Sequence, residues 1–199
     1  IKGYSLLAEM EPANSEHRRN LAAIEKEMGK VLLDTGYADE ARNSYCQALD
    51  NYLVLMDMPG NKHHLKGMYA VLKELTALLP AIGDKEKELQ CQEKITLSYS
   101  RMCELDPQDA GLVEDLATSQ DHEASLLSGL DRKKDAYELL NQALDKYELL
   151  YQLESSYKHA GKAAVAMNNM GALLARMGRK EEAKQMLEDA LRIYNYLLD

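Results

Sequence analysis

The chain has 199 residues, with 33 acidic against 24 basic side chains and a formal net charge of −9. That excess repels phosphate backbones and anionic lipid surfaces, so neither nucleic acid nor membrane is expected as a partner, and no apolar run approaches the ~20 residues of a spanning helix. Leu, Ala, Glu, Lys and Met are abundant, Pro is limited to four residues, and Phe and Trp are absent, which is the inventory of an all-α protein.

The chain opens at Ile1 inside a helical pattern and without an initiator Met, so removal of upstream sequence is expected. A partial helix over residues 1–11 is followed by four helix pairs at about 13–58, 61–106, 108–154 and 157–199. In the first pair Leu21, Ile24, Met28, Val31 and Leu32 recur at three- and four-residue intervals, and Ala41, Tyr45, Ala48, Leu49, Tyr52 and Leu53 form the stripe of the second helix. The second pair carries Pro80, which is expected to end or kink its first helix early. The third keeps Ala136, Leu140 and Ala143, and the fourth repeats the frame of the first. Gly36, Gly83, Gly129 and Gly178 are expected to end the first helix of each pair, and Asp84 and Asp131 to cap the second. Helices of about 20 residues would be ~30 Å long.

Internal repetition fixes these units. Tyr4, Tyr52, Tyr99, Tyr147 and Tyr194 are separated by 48, 47, 48 and 47 residues, with Pro12, Pro59 and Pro107 following in register, and the four glycines by 47, 46 and 49. No stretch between units is long enough, or rich enough in Gly, Pro or Ser, to act as a linker. One continuous array over residues 1–199 is expected.

The last unit, Met167-Asn-Asn-Met-Gly171-Ala-Leu-Leu-Ala-Arg-Met-Gly178-Arg-Lys-Glu-Glu-Ala183-Lys-Gln-Met-Leu187-Glu-Asp-Ala190-Leu191, resembles a tetratricopeptide repeat almost throughout. Met28-Gly29, Leu32, Gly36, Ala41, Tyr45, Ala48 and Leu49 repeat that frame in the first unit. Gly29, Gly171, Ala41, Ala183, Ala48 and Ala190 lack bulk where two helices would cross. A glycine inside a helix costs ~1 kcal/mol relative to alanine, so two at equivalent places point to a packing need. The resemblance implies a right-handed α-α superhelix of stacked antiparallel hairpins, four of them after the leading partial helix. A period near 47 exceeds the usual ~34 and is similar to longer-repeat members of large multi-repeat proteins, of which this chain would be a fragment. The second unit departs from the pattern, with Glu88 and Gln92 at apolar positions, and the third has Ala124 in place of a glycine.

Phosphate-binding Gly-rich loops, His-Glu-x-x-His, Gly-x-Ser-x-Gly and Cys-x-x-Cys are all missing, so no catalytic residue, cofactor or enzyme activity is expected. His17, His64 and His159 take similar places in three first helices, but neighbouring repeats stand ~10 Å apart, too far to share a metal at ~2 Å; no metal site is expected. Cys46, Cys91 and Cys103 are odd in number and without metal-ligand spacing, which fits reduced core thiols in a cytoplasmic protein. The register tyrosines are expected in the core, and the basic run Arg176, Arg179, Lys180 and Lys184 on a solvated helix face and loop.

The resemblance further implies that first helices line a concave face that binds a protein or peptide segment. Carried over by register, one row is Glu27, Glu74, His122 and Asn169, and a neighbouring row is Lys26, Lys73, Asp121 and Asn168, with Lys30 and Ser125 alongside. Asn168-Asn169 resembles the asparagine pair that holds a peptide backbone in long-repeat members, because an amide offers both a donor and an acceptor. The expected function is a protein-interaction scaffold. Two alternatives stay open: a spacer or homodimer formed through exposed array ends around Ile193, Tyr196, Leu197 and Leu198, and a regulatory sensor segment of a larger ATPase or transcription regulator.

Overall fold

The computed structural model describes residues 2–58, 61–81, 83–154 and 156–198, so the unit markers Ile1, Pro59, Ser155 and Asp199 lie outside the described residues. Every regular element among them is helical: α1 (Lys2–Met10), α2 (Ser15–Asp34), α3 (Ala38–Met56), α4 (Leu65–Leu78), α5 (Lys85–Leu105), α6 (Ala110–Gly129), α7 (Lys133–Glu154), α8 (Tyr157–Arg176) and α9 (Lys180–Leu198). Short 3-10 turns at Asn61–His64 and Leu79–Ala81 flank α4. Pro80 sits in the second of these, where its ring and missing N–H end the α-helical ladder, and α4 has 14 residues against 20 in α2, α6 and α8.

Helix starts follow side-chain chemistry. Asn14 Oδ1 accepts from the N–H groups of Glu16 and His17 at 3.1 and 3.4 Å, Asp84 Oδ1 from those of Glu86 and Lys87 at 3.0 and 3.3 Å, and Asp109 Oδ1 from Leu112 N–H at 3.1 Å. The turns α2–α3, α6–α7 and α8–α9 share one closure, in which the N–H groups of Tyr37, Arg132 and Arg179 reach back to the carbonyls of Leu32, Leu127 and Leu174 at 2.8, 2.9 and 3.0 Å. The residue before each takes a left-handed backbone: Gly36 at φ 87°, Asp131 at φ 64° and Gly178 at φ 80°. Asp131 thus does not cap α7. It occupies the turn position expected of Gly129, which instead closes α6, because Asp tolerates this conformation better than most side chains.

The chain divides between Leu105 and Asp106 into two compact units. In the first, α2 pairs with α3, and α3 also packs against α4 and α5. The α2 face turned inward is Leu21, Ala22, Glu25 and Gly29. This corrects the expected stripe: Met28 and Val31 are 40% and 58% exposed, and Ile24 and Leu32 only half-buried. The reason is steric. Ala22 and Gly29 bring α3 close, and the fully buried ring of Tyr45 fills the space beside Gly29, where an added Cβ would stand 2.8–3.0 Å from it. Buried Glu25 accepts from Asn51 Nδ2 at 2.8 Å, and Arg18 Nη1 donates to Asn51 Oδ1 at 3.1 Å. Burial holds this carboxyl above the usual carboxylate range, with Asn51 opposing.

In the second unit the hairpins α6–α7 and α8–α9 join through α8, which packs on α7 and touches α6. Ala117, Ala143, Tyr147, Leu150, Ala163 and Ala166 form a core cluster there. Tyr147 lies in the core as its register predicts, and its hydroxyl donates to Thr118 Oγ1 at 3.1 Å. Burial pushes that phenol up to about 12. Gly171 does for α8 and α9 what Gly29 does for α2 and α3, with Leu187 Cγ 2.7 Å from where its Cβ would lie.

One polar cluster ties α6 to α8. Glu114 receives Lys158 Nζ at 2.7 Å, Lys162 Nζ at 2.6 Å and His159 Nε2 at 3.2 Å. Burial alone would raise this carboxyl; hydrogen bonds from Lys158, Lys162 and His159 outweigh it and hold it down at about 2. A carboxyl depressed below its unfolded value contributes stability above that value and loses it as pH falls toward the folded one.

Two outcomes follow for thermal melting. Gly29→Ala is expected to destabilise by about 1–3 kcal/mol, since the fully buried Tyr45 ring stands where the methyl would go, and Gly171→Ala to cost less, because Leu187, 41% exposed, can shift although the Ala183 carbonyl oxygen at 3.3 Å cannot; a larger loss for Gly171→Ala would contradict this packing. Glu114→Gln is expected to cost about 1–3 kcal/mol at pH 7, with the gap to the parent closing between about pH 5 and pH 2. A gap that stays constant across that range would remove the ion cluster as its cause.

Candidate partner-binding surface

The expected row residues fall on first helices, five in the first unit and four in the second, and they behave differently. On α2, Lys26 Nζ meets Glu27 Oε1 at 2.9 Å, and Lys30 is exposed. The Lys26 hydrogen bond, followed by its charge, holds the Glu27 carboxyl below its usual range. On α4, Lys73 and Glu74 are both exposed. The Tyr45 hydroxyl senses α2 and α4 together: burial first, then the charges of Glu74, Asp34 and Glu27, push it up to about 12. Lys26 and Glu27 thus offset one another's charge on α2.

In the second unit the structure brings two row residues into direct contact. Asn169 Nδ2 on α8 donates to Asp121 Oδ1 on α6 at 2.9 Å, and burial raises this carboxyl while the Asn169 bond opposes it. The Asn169 amide oxygen makes no hydrogen bond to another described residue. His122 and Asn168 flank the pair as exposed side chains. Beside the pair lies a depression of about 220 Å³ bordered by Ser125, Ser128, Asn169, Ala172 and Arg176. Arg176 Nη1 donates to Ser128 Oγ at 2.6 Å, and Nη2 lies 3.6 Å from Asp131. The depression thus offers hydroxyls, an amide and a guanidinium edge beside the apolar side chains of Ala124, Leu140, Ala172 and Leu173.

Sequence reasoning missed Glu114, Lys158, Lys162 and Ser128, and placed Arg176 on a solvated face, whereas it borders the depression. Their signal is an offset and not a motif: Glu114–Lys158, Thr118–Lys162, Asp121–Asn169 and Ser128–Arg176 are separated by 44, 44, 48 and 48 residues. One repeat period, give or take one helical turn, brings facing positions of successive first helices together. The repeat-register rows compare equivalent positions and so name neighbours only approximately.

Of the histidines, His159 joins Glu114 and also lies 3.6 Å from Glu154, His17 meets Glu11 at 3.1 Å, and His64 is buried, which lowers its imidazole. Among the described residues no three His, Cys, Asp or Glu side chains converge as metal ligands, and no helix is long and apolar enough to cross a membrane.

Residues 163–198, covering most of α8 and all of α9, match the family model described as a tetratricopeptide repeat. Comparison with curated proteins gives no match. Among solved structures, MamA is similar at 14% identity over 98% of this chain and 86% of its own, with a TM-score of 0.39. A Podosopora anserina putative kinesin light chain with nearly identical TPR-like repeats is similar at 16% identity over 90% and 97%, TM-score 0.36. YrrB, described as a TPR protein with an unusual peptide-binding site, is similar at 15% over 96% and 91%, TM-score 0.32. The chain is thus an all-helical protein of paired helices with glycine-notched crossings, and its residues 163–198 match a tetratricopeptide repeat.

Proposed function

We propose that this chain is an interaction scaffold that binds a segment of a partner protein along its first helices, with the α6–α8 depression as the anchoring point. The observation that carries this reading is the Asp121–Asn169 contact beside a concavity edged by Ser125, Ser128 and Arg176. Asn169 is held in place by one N–H and keeps its amide oxygen for a peptide N–H; the serine hydroxyls and Arg176 donate to peptide carbonyls. His122 and Asn168 flank the depression on the second unit, and Lys26, Glu27, Lys30, Lys73 and Glu74 are a separate candidate surface on the first. Because the depression is edged mainly by serine hydroxyls and an amide, with Arg176 already bonded to Ser128, recognition there rests on amides and hydroxyls, and affinity depends only weakly on salt.

Peptides selected from a random display library on the full chain test this. Asn169→Ala with Arg176→Ala is expected to weaken the selected peptides about tenfold, the loss of one or two hydrogen bonds, with little change between low and physiological salt. Selection of no peptide, or of peptides indifferent to both substitutions, would remove the depression from consideration.

A second reading, association of copies through end faces, is favoured by two apolar hollows of about 420 Å³ each. One is formed on α2 by Ala23, Ile24, Met28 and Val31, and the other on α9 by Leu187 and Leu191. Counting from the equivalent Gly29 and Gly171, Ile24 and Val31 correspond to Ala166 and Leu173, which are buried in α8. Counting from Ala190 and Ala143, Leu187 corresponds to Leu140, also buried. The hollows are thus the two halves of a repeat-to-repeat junction. Sedimentation over a concentration series is expected to reveal dimers and longer head-to-tail oligomers that Val31→Glu or Leu191→Glu dissociates; a monomer at every concentration would discard this reading.

A further inference from the structure

Cys46 on α3 and Cys91 on α5 place their sulfurs 3.9 Å apart within the first unit. They are 45 residues apart, and near them Lys94 Nζ meets Asp50 Oδ1 at 2.6 Å across 44, so the second helices of successive hairpins run side by side here. Cys91 is buried, while Cys46 reaches the surface. A disulfide brings its sulfurs to about 2.05 Å, so closing this pair needs roughly 2 Å of approach, which side-chain rotation and a small helix adjustment can supply. The surroundings divide the two roles. Hydrogen bonding from Cys91, followed by the charges of Lys94 and Arg42, lowers the Cys46 thiol against the effect of its burial and of Asp50. The same bond and burial push Cys91 up. A partly accessible thiol beside a buried one is the arrangement of an attacking and a resolving cysteine.

We propose that Cys46 and Cys91 form a reversible oxidation site at which a peroxide converts the pair to a disulfide tying α3 to α5. The Cys46 thiolate attacks one peroxide oxygen, the O–O bond breaks, and the departing oxygen leaves as water once protonated. The resulting sulfenic acid is attacked by the Cys91 sulfur; the S–O bond breaks and the Cys91 proton leaves with the oxygen as a second water. Two thiols and one peroxide thus give one disulfide and two waters, with two electrons passing from sulfur to peroxide. Attack by an external dithiol reverses the step. The bridge would make a covalent link between the first and second hairpins of this unit, which non-covalent packing otherwise holds together. It does not depend on the partner-binding reading.

Treating the full chain with hydrogen peroxide, followed by intact mass and peptide mapping without reductant, tests the site. Expected are loss of the mass of two hydrogen atoms, a linked peptide pair containing Cys46 and Cys91, and a melting temperature raised by about 5 °C or more, as closure of a loop of this length implies. Dithiothreitol should return all three to their starting values. In Cys91→Ser, Cys46 should instead accumulate as a sulfenic acid that dimedone captures; if that variant does not fold, the peptide map of the parent chain decides alone. Oxygen added to Cys46 of the parent without a link, a link to Cys103, or covalent dimers would each overturn the proposal.

Discussion

Everything in this molecule depends on how closely two helices of a pair can approach, and that is set by residues with almost no side chain. Gly29 and Gly171 leave notches in α2 and α8 that a methyl group would already fill, and Tyr45 and Leu187 enter them. Ala41, Ala48, Ala183 and Ala190, all buried, do the same from the opposing helix. Once α3 sits this close, the rotation of α2 about its axis is no longer free. Its small residues face the partner helix, and its larger apolar residues Met28 and Val31 are turned outward. A helix in such a pair therefore has two apolar faces, one for its own hairpin and one for a neighbouring repeat, and amphipathicity alone cannot say which is which.

That ambiguity marks the limit of what could be read from the sequence. Helix pairs, their turns and the interrupting Pro80 were legible because each leaves a local signature: a period near 3.6, a capping side chain, a missing N–H. The notches at Gly29 and Gly171 were legible because glycine is costly inside a helix and recurs there. The orientation of Met28 and Val31 was not, since Leu, Met and Val carry no label for the surface they meet. Asp131 was misread for a related reason. The left-handed turn residue is set by backbone geometry and not by residue type, so the nearby Gly129 attracted the assignment.

The candidate surface was legible in outline and not in its contacts. Counting equivalent positions found Asp121 and Asn169 but treated them as members of separate rows, whereas an offset of 48 residues brings them face to face. The same geometry hid Glu114, whose partners lie on α8, and hid the meeting of Cys46 with Cys91, which no spacing motif describes. Long-range pairs in a repeat protein obey the period only after the stagger between successive helices is added.

The short α4 has an effect of its own. A 14-residue helix cannot cover the 21 residues of α5, and α3 makes up the deficit by packing against both. The second hairpin is accordingly less self-sufficient than the others: much of its apolar cover comes from the hairpin before it. Cooperativity in this unit flows one way along the chain. Loosening α3 exposes two helices at once, while fraying of α4 leaves the α2–α3 pairing in place, so within this unit local opening is expected to begin at the second hairpin.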